Sequence, residues 1–145
     1  MSRSGRAWID GGSRGNPGPA GFGVLLETEE GREEILGYLG KTTNNVAEYT
    51  GLLAALTRAT QMGLEELQIS SDSELLVRQM SGRYQVKALH LVPFYRRALE
   101  LKRSLKRLTL RHVPRSENSE ADGLANQAID TRARVPEWLV LPGHG

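Results

Sequence analysis

The first third of the chain alternates between apolar and polar positions with a period of two, which is typical of β-strands. Residues 21–27 and 33–40 carry this pattern, and a short apolar run at 6–10 predicts a further strand. The glycines and prolines of residues 11–21 disfavour both a helix and a continuing ladder, so they predict a loop. The polar residues 29–32 predict a turn between the second and third strands. The sequence therefore predicts an antiparallel meander at the start of the chain.

The apolar period changes to about 3.6 residues near Val46, which indicates a helix that ends near Gly63. Its apolar face is formed by Tyr49, Leu52, Leu53 and Leu56. Later strands are predicted at 67–71 and 108–113, and later helices at 73–80, from Pro93 to about Leu105, and at 121–133. The order β-β-β-α-β-α-α-β-α predicts an α/β fold in which a mixed sheet is covered by helices.

The length of 145 residues fits a single domain, with 39% hydrophobic and 25% charged residues. We expect one domain over 1–145, with a body at about 6–132 and a C-terminal tail at about 133–145. The apolar residues of the tail suggest that it docks on the body. No apolar run approaches the roughly 18 residues that cross a bilayer, and no signal peptide is evident, so we expect a cytoplasmic protein without a membrane partner.

The chain contains no cysteine. This excludes disulfides, a thiolate nucleophile and a cysteine-ligated zinc site. Any metal ion must therefore be held by oxygen or by histidine.

The formal net charge of +2 conceals an uneven distribution. Residues 76–115 contain 11 of the 19 Lys and Arg residues and one acid, Glu100, so this segment carries +10. The remaining residues carry 8 − 16 = −8. Such asymmetry favours a polyanionic partner, most often nucleic acid. A solvated basic helix face would give the same count, and both interpretations stay open at this point.

Four acidic residues are predicted at the ends of elements: Asp10 and Asp72 close the first and fourth strands, and Glu48 and Asp122 lie in the first turns of the first and last helices. Each has a structural alternative, because Asp is common in turns and acidic residues often cap helices. Together, however, four anions at one edge of a sheet require a cation. Carboxylates in a cysteine-free site suit Mg²⁺ or Mn²⁺, and two such ions support phosphoryl displacement.

Four motifs resemble ribonuclease H of type 1, the ribonuclease HI family, and the resemblance runs from about Arg6 to Arg132. The motifs are DGGSRGNPGPAGFG at 10–23, TTNNVAEYTGLLAAL at 42–56, SDSELLVRQMSGRYQVK at 71–87 and HVPRSENSEADGLANQA at 112–128. The resemblance implies an RNase H-like fold, with a five-stranded mixed sheet in the order 3-2-1-4-5, strands 1–3 antiparallel, and flanking helices.

The resemblance also implies the activity, which is endonucleolytic cleavage of the RNA strand of an RNA·DNA hybrid, with little sequence specificity, leaving 3′-hydroxyl and 5′-phosphate ends. It assigns Asp10, Glu48, Asp72 and Asp122 as catalytic ligands of two Mg²⁺ ions, for which Mn²⁺ is a possible substitute. The implied substrate-binding residues are Asn16, Thr43, Asn44, Asn45, Glu74 and Lys87. We expect a monomer without an obligate protein partner.

Three features depart from the family pattern or leave a residue's role open. Glu74 stands where many family members have a glutamine that contacts RNA. The segment after Tyr84 is too short for the basic helical handle that some relatives insert, so this is a compact form. His112 precedes Asp122 by ten residues and matches the family's mobile catalytic histidine, but the same residues also fit a strand that places Arg115 in the loop instead.

Two other functional classes remain possible from the sequence. One is a non-catalytic module that binds hybrid or double-stranded RNA. The other is a related nuclease that acts on DNA junctions or double-stranded RNA. The intact set of four acids favours an enzyme, and Asn16, Asn44 and Asn45 favour recognition of RNA.

Overall fold

The computed structural model describes residues 3–143 and contains five strands and four helices. The strands are β1 (Ser4–Ser13), β2 (Gly18–Thr28), β3 (Gly31–Thr42), β4 (Glu66–Ser71) and β5 (Arg107–His112). The helices are α1 (Asn44–Gln61), α2 (Glu74–Met80), α3 (Val92–Lys102) and α4 (Ser119–Thr131), with a short 3₁₀ turn at Arg115–Glu117. Every element predicted from the sequence is present, and its bounds differ from the predicted ones by at most three residues.

The five strands form one mixed sheet in the order β3-β2-β1-β4-β5. β1 pairs antiparallel with β2, and β2 pairs antiparallel with β3. β1 pairs parallel with β4, and β4 pairs parallel with β5. The structure thus confirms the predicted strand order and the antiparallel start of the chain.

Helix α1 fills the centre of the hydrophobic core. The predicted apolar face is buried throughout, with Tyr49, Leu52, Leu53 and Leu56 at most 2% exposed. The helix begins two residues earlier than predicted because the hydroxyl of Thr43 accepts the N–H of Val46 and caps it. Glu48 therefore lies in the second turn, and the prediction that places it in the first turn is wrong.

Strand β1 continues past Asp10 to Ser13, so the predicted loop at Gly11 is wrong. Gly11 and Gly12 pair with Phe22 and Gly21 in the β1–β2 ladder. The absence of a side chain at Gly11 lets the backbone of α1 approach β1 so closely that an added Cβ would overlap Ala47. Asp10 consequently lies inside a central strand, beside the helix that carries Glu48.

The C-terminal tail docks on the body, as expected. The N–H of Tyr38 donates to the carbonyl of Ala133 at 2.8 Å, and Val135 packs over Gly37. Leu139 is buried. The connection between α2 and α3, residues 81–91, holds no additional helix, which agrees with the compact form.

No helix within residues 3–143 is long and apolar enough to cross a membrane.

The close approach at Gly11 yields a matched pair of substitutions. We expect Gly11→Ala to lower the free energy of unfolding by about 3 kcal/mol, because the new methyl group overlaps the α1 backbone. Gly12→Ala should change it by only about 0.5 kcal/mol, because its Cβ would come no closer than 3.9 Å to Asn44 Oδ1. Urea unfolding of both variants measures the difference, and equal losses would contradict this account of the packing.

Candidate active site

A solvent-open cavity of about 680 Å³ lies where β1, the end of β4 and the first turn of α4 meet. Three of the four carboxylates line it: Asp10 within β1, Asp72 directly after β4, and Asp122 in the first turn of α4. Glu48 lies in α1, near enough for its charge to raise the pKa of Asp10. The fold therefore brings together four acids that are separated by up to 112 residues of chain.

Two helices reach this region because glycines face them. Gly11 of β1 allows α1 to approach, as described above. On β2, a Cβ at Gly23 would lie 2.6 Å from the carbonyl oxygen of Ala121 and 2.7 Å from the nitrogen of Ala125. Helix α4 thus lies directly on the backbone of β2, and this contact places Asp122 beside Asp10.

Asp10 is the electrostatic centre of the site. Its pKa is raised from 3.8 to about 8, chiefly by burial and next by the nearby charge of Asp72. A hydrogen bond with the Asp122 carboxyl group and the charges of Asp122 and Glu48 act in the same direction. Without a cation, the site therefore retains a proton on Asp10 near neutral pH, which is the expected behaviour of clustered carboxylates.

Glu48 is anchored by the start of α2. Burial raises the pKa of Glu48, and a hydrogen bond with the Ser73 side chain partly lowers it. The same Ser73 hydroxyl accepts the N–H of Leu76 at 3.2 Å and so caps α2. The alternative in which Asp72 caps this helix is wrong, and its carboxylate lines the cavity instead.

Asn16 and Asn44 form a hydrogen-bonded pair at the rim of the cavity. The N–H of Asn44 donates to Asn16 Oδ1 at 3.1 Å, and the N–H of Ser13 donates to Asn44 Oδ1 at 2.7 Å. Each side-chain oxygen thus has a backbone donor, which fixes the orientation of both amide groups. Asn45 follows Asn44 in the first turn of α1.

The other predicted substrate-binding residues, Thr43, Glu74 and Lys87, are not among those that line the cavity. Thr43 uses its hydroxyl to cap α1. Glu74 begins α2 and forms an ion pair with Arg78, whose guanidinium also donates to the Tyr84 hydroxyl at 2.9 Å. Lys87 is exposed in the connection between α2 and α3.

His112 and Arg115 both line the cavity. His112 is the last residue of β5, so the alternative in which it lies on the sheet describes its position. Arg115 begins the 3₁₀ turn, and its guanidinium lies 3.6 Å from Asp122 Oδ1. The loop cation therefore contacts one of the four acids directly.

Sequence reasoning missed two residues that shape the site. Arg14 forms an ion pair with Asp130 at 2.6 Å and donates to Asn126 Oδ1 at 3.2 Å, which ties the loop before Asn16 to α4. Asn118 is buried and donates to the carbonyl of Ile9. Both contacts join positions more than 100 residues apart, and no local pattern signals them.

Comparisons with known proteins agree with this fold. The model of the reverse transcriptase-like family matches residues 9–128. A bifunctional protein of Mycobacterium tuberculosis is 45% identical over 128 residues, which cover 86% of this chain and 35% of that protein. This chain thus spans about a third of the length of its mycobacterial relatives. The ribonuclease HI of Halobacterium salinarum is 40% identical over 132 residues, which cover 88% of this chain and 66% of that protein.

Solved structures of similar proteins have the same fold. The N-terminal RNase H domain of the M. tuberculosis protein has a TM-score of 0.86 at 43% identity, covering 90% of this chain and 96% of the domain. The RNase H1 called LC11, solved with an RNA/DNA hybrid, has a TM-score of 0.81 at 41% identity, covering 88% of this chain and 97% of that one. The sheet order and the acidic cavity define an RNase H-like domain. More narrowly, the chain belongs to the ribonuclease HI family.

The raised pKa of Asp10 makes the stability of the metal-free protein depend on pH. Below pH 3.8 the group is protonated in both the folded and the unfolded chain. Between pH 3.8 and about 8, Asp10 ionises in the unfolded chain but stays protonated in the folded one, so stability falls progressively over this range and levels off above it. In EDTA, Asp10→Asn should therefore be more stable than wild type by about 2 kcal/mol at pH 8, and by much less at pH 5.

Urea unfolding at the two pH values measures this difference. Glu29→Gln is the control, because Glu29 is exposed in the β2–β3 turn, and its effect should be the same at both values. A stability difference for Asp10→Asn that does not change between pH 5 and pH 8 would contradict the proposed burial of charge.

Proposed function

We propose that this chain is an endoribonuclease that hydrolyses the RNA strand of RNA·DNA hybrids. The observation that carries the proposal is the placement of Asp10, Asp72 and Asp122 on one solvent-open cavity, with Glu48 near enough for its charge to raise the pKa of Asp10. Membership of the ribonuclease HI family supports it, as does the hybrid bound to the similar RNase H1. The chemistry of this cavity is that of a phosphodiester hydrolase, because its acids require cations that a phosphate can share.

The donor set fits Mg²⁺, with Mn²⁺ as a substitute. All four groups are hard carboxylate oxygens, and their mutual repulsion is relieved by a cation. No three His, Asp or Glu side chains within residues 3–143 already stand in ligand geometry.

The chain's own residues have distinct roles in this proposal. Asp10, Asp72 and Asp122 would hold the two ions. Glu48, held by Ser73, would ligate one ion and orient a water molecule near the 2′-hydroxyl group. When bound, the ions supply positive charge that favours in-line attack by water and departure of the 3′ oxygen. The products would carry 3′-hydroxyl and 5′-phosphate ends.

Recognition of RNA would rest on the side-chain amides of Asn16 and Asn44. Their oxygens already accept backbone N–H groups, so their NH₂ groups are the ends free to donate toward a substrate. The 2′-hydroxyl group accepts such donors and distinguishes RNA from DNA in the shallow minor groove of an A-like duplex. Because contacts to sugar and phosphate carry no base information, cleavage would have little sequence specificity.

Substrate grip would rest on the basic segment 76–115, since no handle is present in the connection 81–91. Helix α3 presents Arg96, Arg97, Lys102 and Arg103 along or just after it. Arg97 lies 3.8 Å from Glu100, a weak surface pair that phosphate can replace.

The first test is a substrate panel with the wild-type chain and Asp10→Asn. We expect wild type to cleave the RNA strand of a labelled hybrid in Mg²⁺ and to leave duplex DNA and double-stranded RNA intact. Asp10→Asn should lower the rate about 1,000-fold, because it removes a charge that holds the ions. Gel analysis of products, with end mapping for the 5′-phosphate, measures both.

Glu29→Gln serves again as the control and should cleave at the wild-type rate. Metal-dependent cleavage by Asp10→Asn at the wild-type rate would exclude the assignment. Tight hybrid binding without cleavage in either metal would instead indicate a binding module, and preferred cleavage of double-stranded RNA or branched DNA would indicate a different nuclease of this fold.

A second test separates His112 from Arg115. We expect Arg115→Ala to lower kcat about 10- to 100-fold, because its guanidinium lies beside Asp122 at the cavity. His112→Ala should change kcat by less than about threefold, because His112 ends strand β5 and is given no proton-transfer role in this proposal. A proton-transfer role would contribute about 100-fold or more. Steady-state kinetics check this: a fall in kcat of about 100-fold in His112→Ala, with Arg115→Ala near the wild-type rate, would assign the catalytic role to His112.

A further inference from the structure

Asn118 is a buried polar residue immediately before α4, with only 1% of its surface exposed. Its side-chain NH₂ group donates to the backbone carbonyl of Ile9 at 2.8 Å, across 109 residues of chain. Ile9 precedes Asp10 and forms the last residue pair between β1 and β4, with Ser71. The Asn118 amide therefore bonds the backbone of β1 where the parallel ladder ends.

The backbone of Asn118 makes two further hydrogen bonds. Its N–H donates to the carbonyl of Arg115 at 3.0 Å. Its carbonyl accepts the N–H of Asp122, also at 3.0 Å. One residue thus connects the strand that carries Asp10, the turn that carries Arg115 and the helix turn that carries Asp122.

The side chain of Asn118 forgoes the bond that this residue type usually makes at its position. Asn at the N-cap of a helix normally accepts an N–H of the first turn with its side-chain oxygen. Here the residue is the N-cap of α4 but makes no side-chain capping bond. Its Oδ1 has no hydrogen-bond partner among residues 3–143, which is unfavourable for a buried acceptor. The long-range bond to Ile9 is therefore made at the expense of local helix stability.

We propose that Asn118 is a positioning residue that sets the distance between Asp10 and Asp122 and thereby the affinity of the site for a divalent cation. This inference rests on the proposed function, because it assumes that both acids bind the same ions. Loss of the amide would leave α4 on β2, where Gly23 receives it, but would free the N-terminal turn of α4 to move relative to β1.

The test uses Asn118→Ala and Asn118→Ser. A serine hydroxyl is an effective N-cap but is too short to replace the amide bond to Ile9, so Asn118→Ser should retain most of the thermal stability that Asn118→Ala loses. In both variants we expect the Mn²⁺ concentration at the midpoint of metal-induced thermal stabilisation to rise about tenfold, the usual effect of removing a group that orients metal ligands. This measurement needs no substrate and no activity.

The control is Ile35→Ala, a core substitution in β3 that lowers thermal stability away from the cavity. Its Mn²⁺ midpoint should equal that of wild type.

The Mg²⁺ concentration for half-maximal hybrid cleavage should rise in the two Asn118 variants, with kcat largely recovered at saturating metal. Recovery of kcat at saturating metal would show that the variants retain the cleavage step and have lost only affinity for the metal ion.

An unchanged Mn²⁺ midpoint in Asn118→Ser would overturn the proposal. So would a midpoint that rises equally in Ile35→Ala, because the effect would then follow from lower stability alone. Failure of the proposed function itself has a different signature: wild type would bind no Mn²⁺, or would bind it without cleaving the hybrid.

Discussion

Mutual repulsion among four carboxyl groups governs the candidate active site. Asp10 is half-buried within a central strand, and its neighbours Asp72, Asp122 and Glu48 all disfavour its ionised form. In the metal-free protein this conflict is relieved by a proton, and a divalent cation would relieve it more fully. The same repulsion between carboxylates would thus favour the proposed binding of metal ions. Protons and cations compete for one set of oxygens.

Close packing of α1 and α4 on the strands brings the four carboxyl groups near one another and fixes their positions. Side chains at Gly11 or Gly23 would separate α1 or α4 from the sheet and move Glu48 or Asp122 away from Asp10. Hydrogen bonds then orient individual groups, as Ser73 does for Glu48 and as backbone N–H groups do for the two asparagines. Packing sets the separation of the elements, and hydrogen bonds set the orientation of the side chains.

The pattern of apolar and polar residues predicted the helices and strands, because local interactions largely determine them. The apolar spacing of Tyr49, Leu52 and Leu56 indicated α1 because burial on one face follows the helical period. The order of elements, together with the family resemblance, predicted the sheet. Motifs located all four acids, although their proximity could only be inferred from where strands end.

The sequence could not predict what depends on distant parts of the chain. The continuation of β1 through Gly11 and Gly12 depends on partners in β2 and on the approach of α1, whereas the local composition indicates a loop. Asn118 resembles an ordinary helix cap until its contact with Ile9 is seen. Arg14 likewise resembles a solvated loop cation until α4 is placed beside it.

The C-terminal tail has a consequence for how molecules of this protein meet one another. β3 is an outer strand of the sheet, and an uncovered outer strand can pair with a strand of another molecule and begin aggregation. The carbonyl of Ala133 accepts the N–H of Tyr38, and Val135 packs over Gly37. A short segment outside the sheet thereby takes up a hydrogen-bonding position on the outer edge of β3, where a second chain would otherwise add.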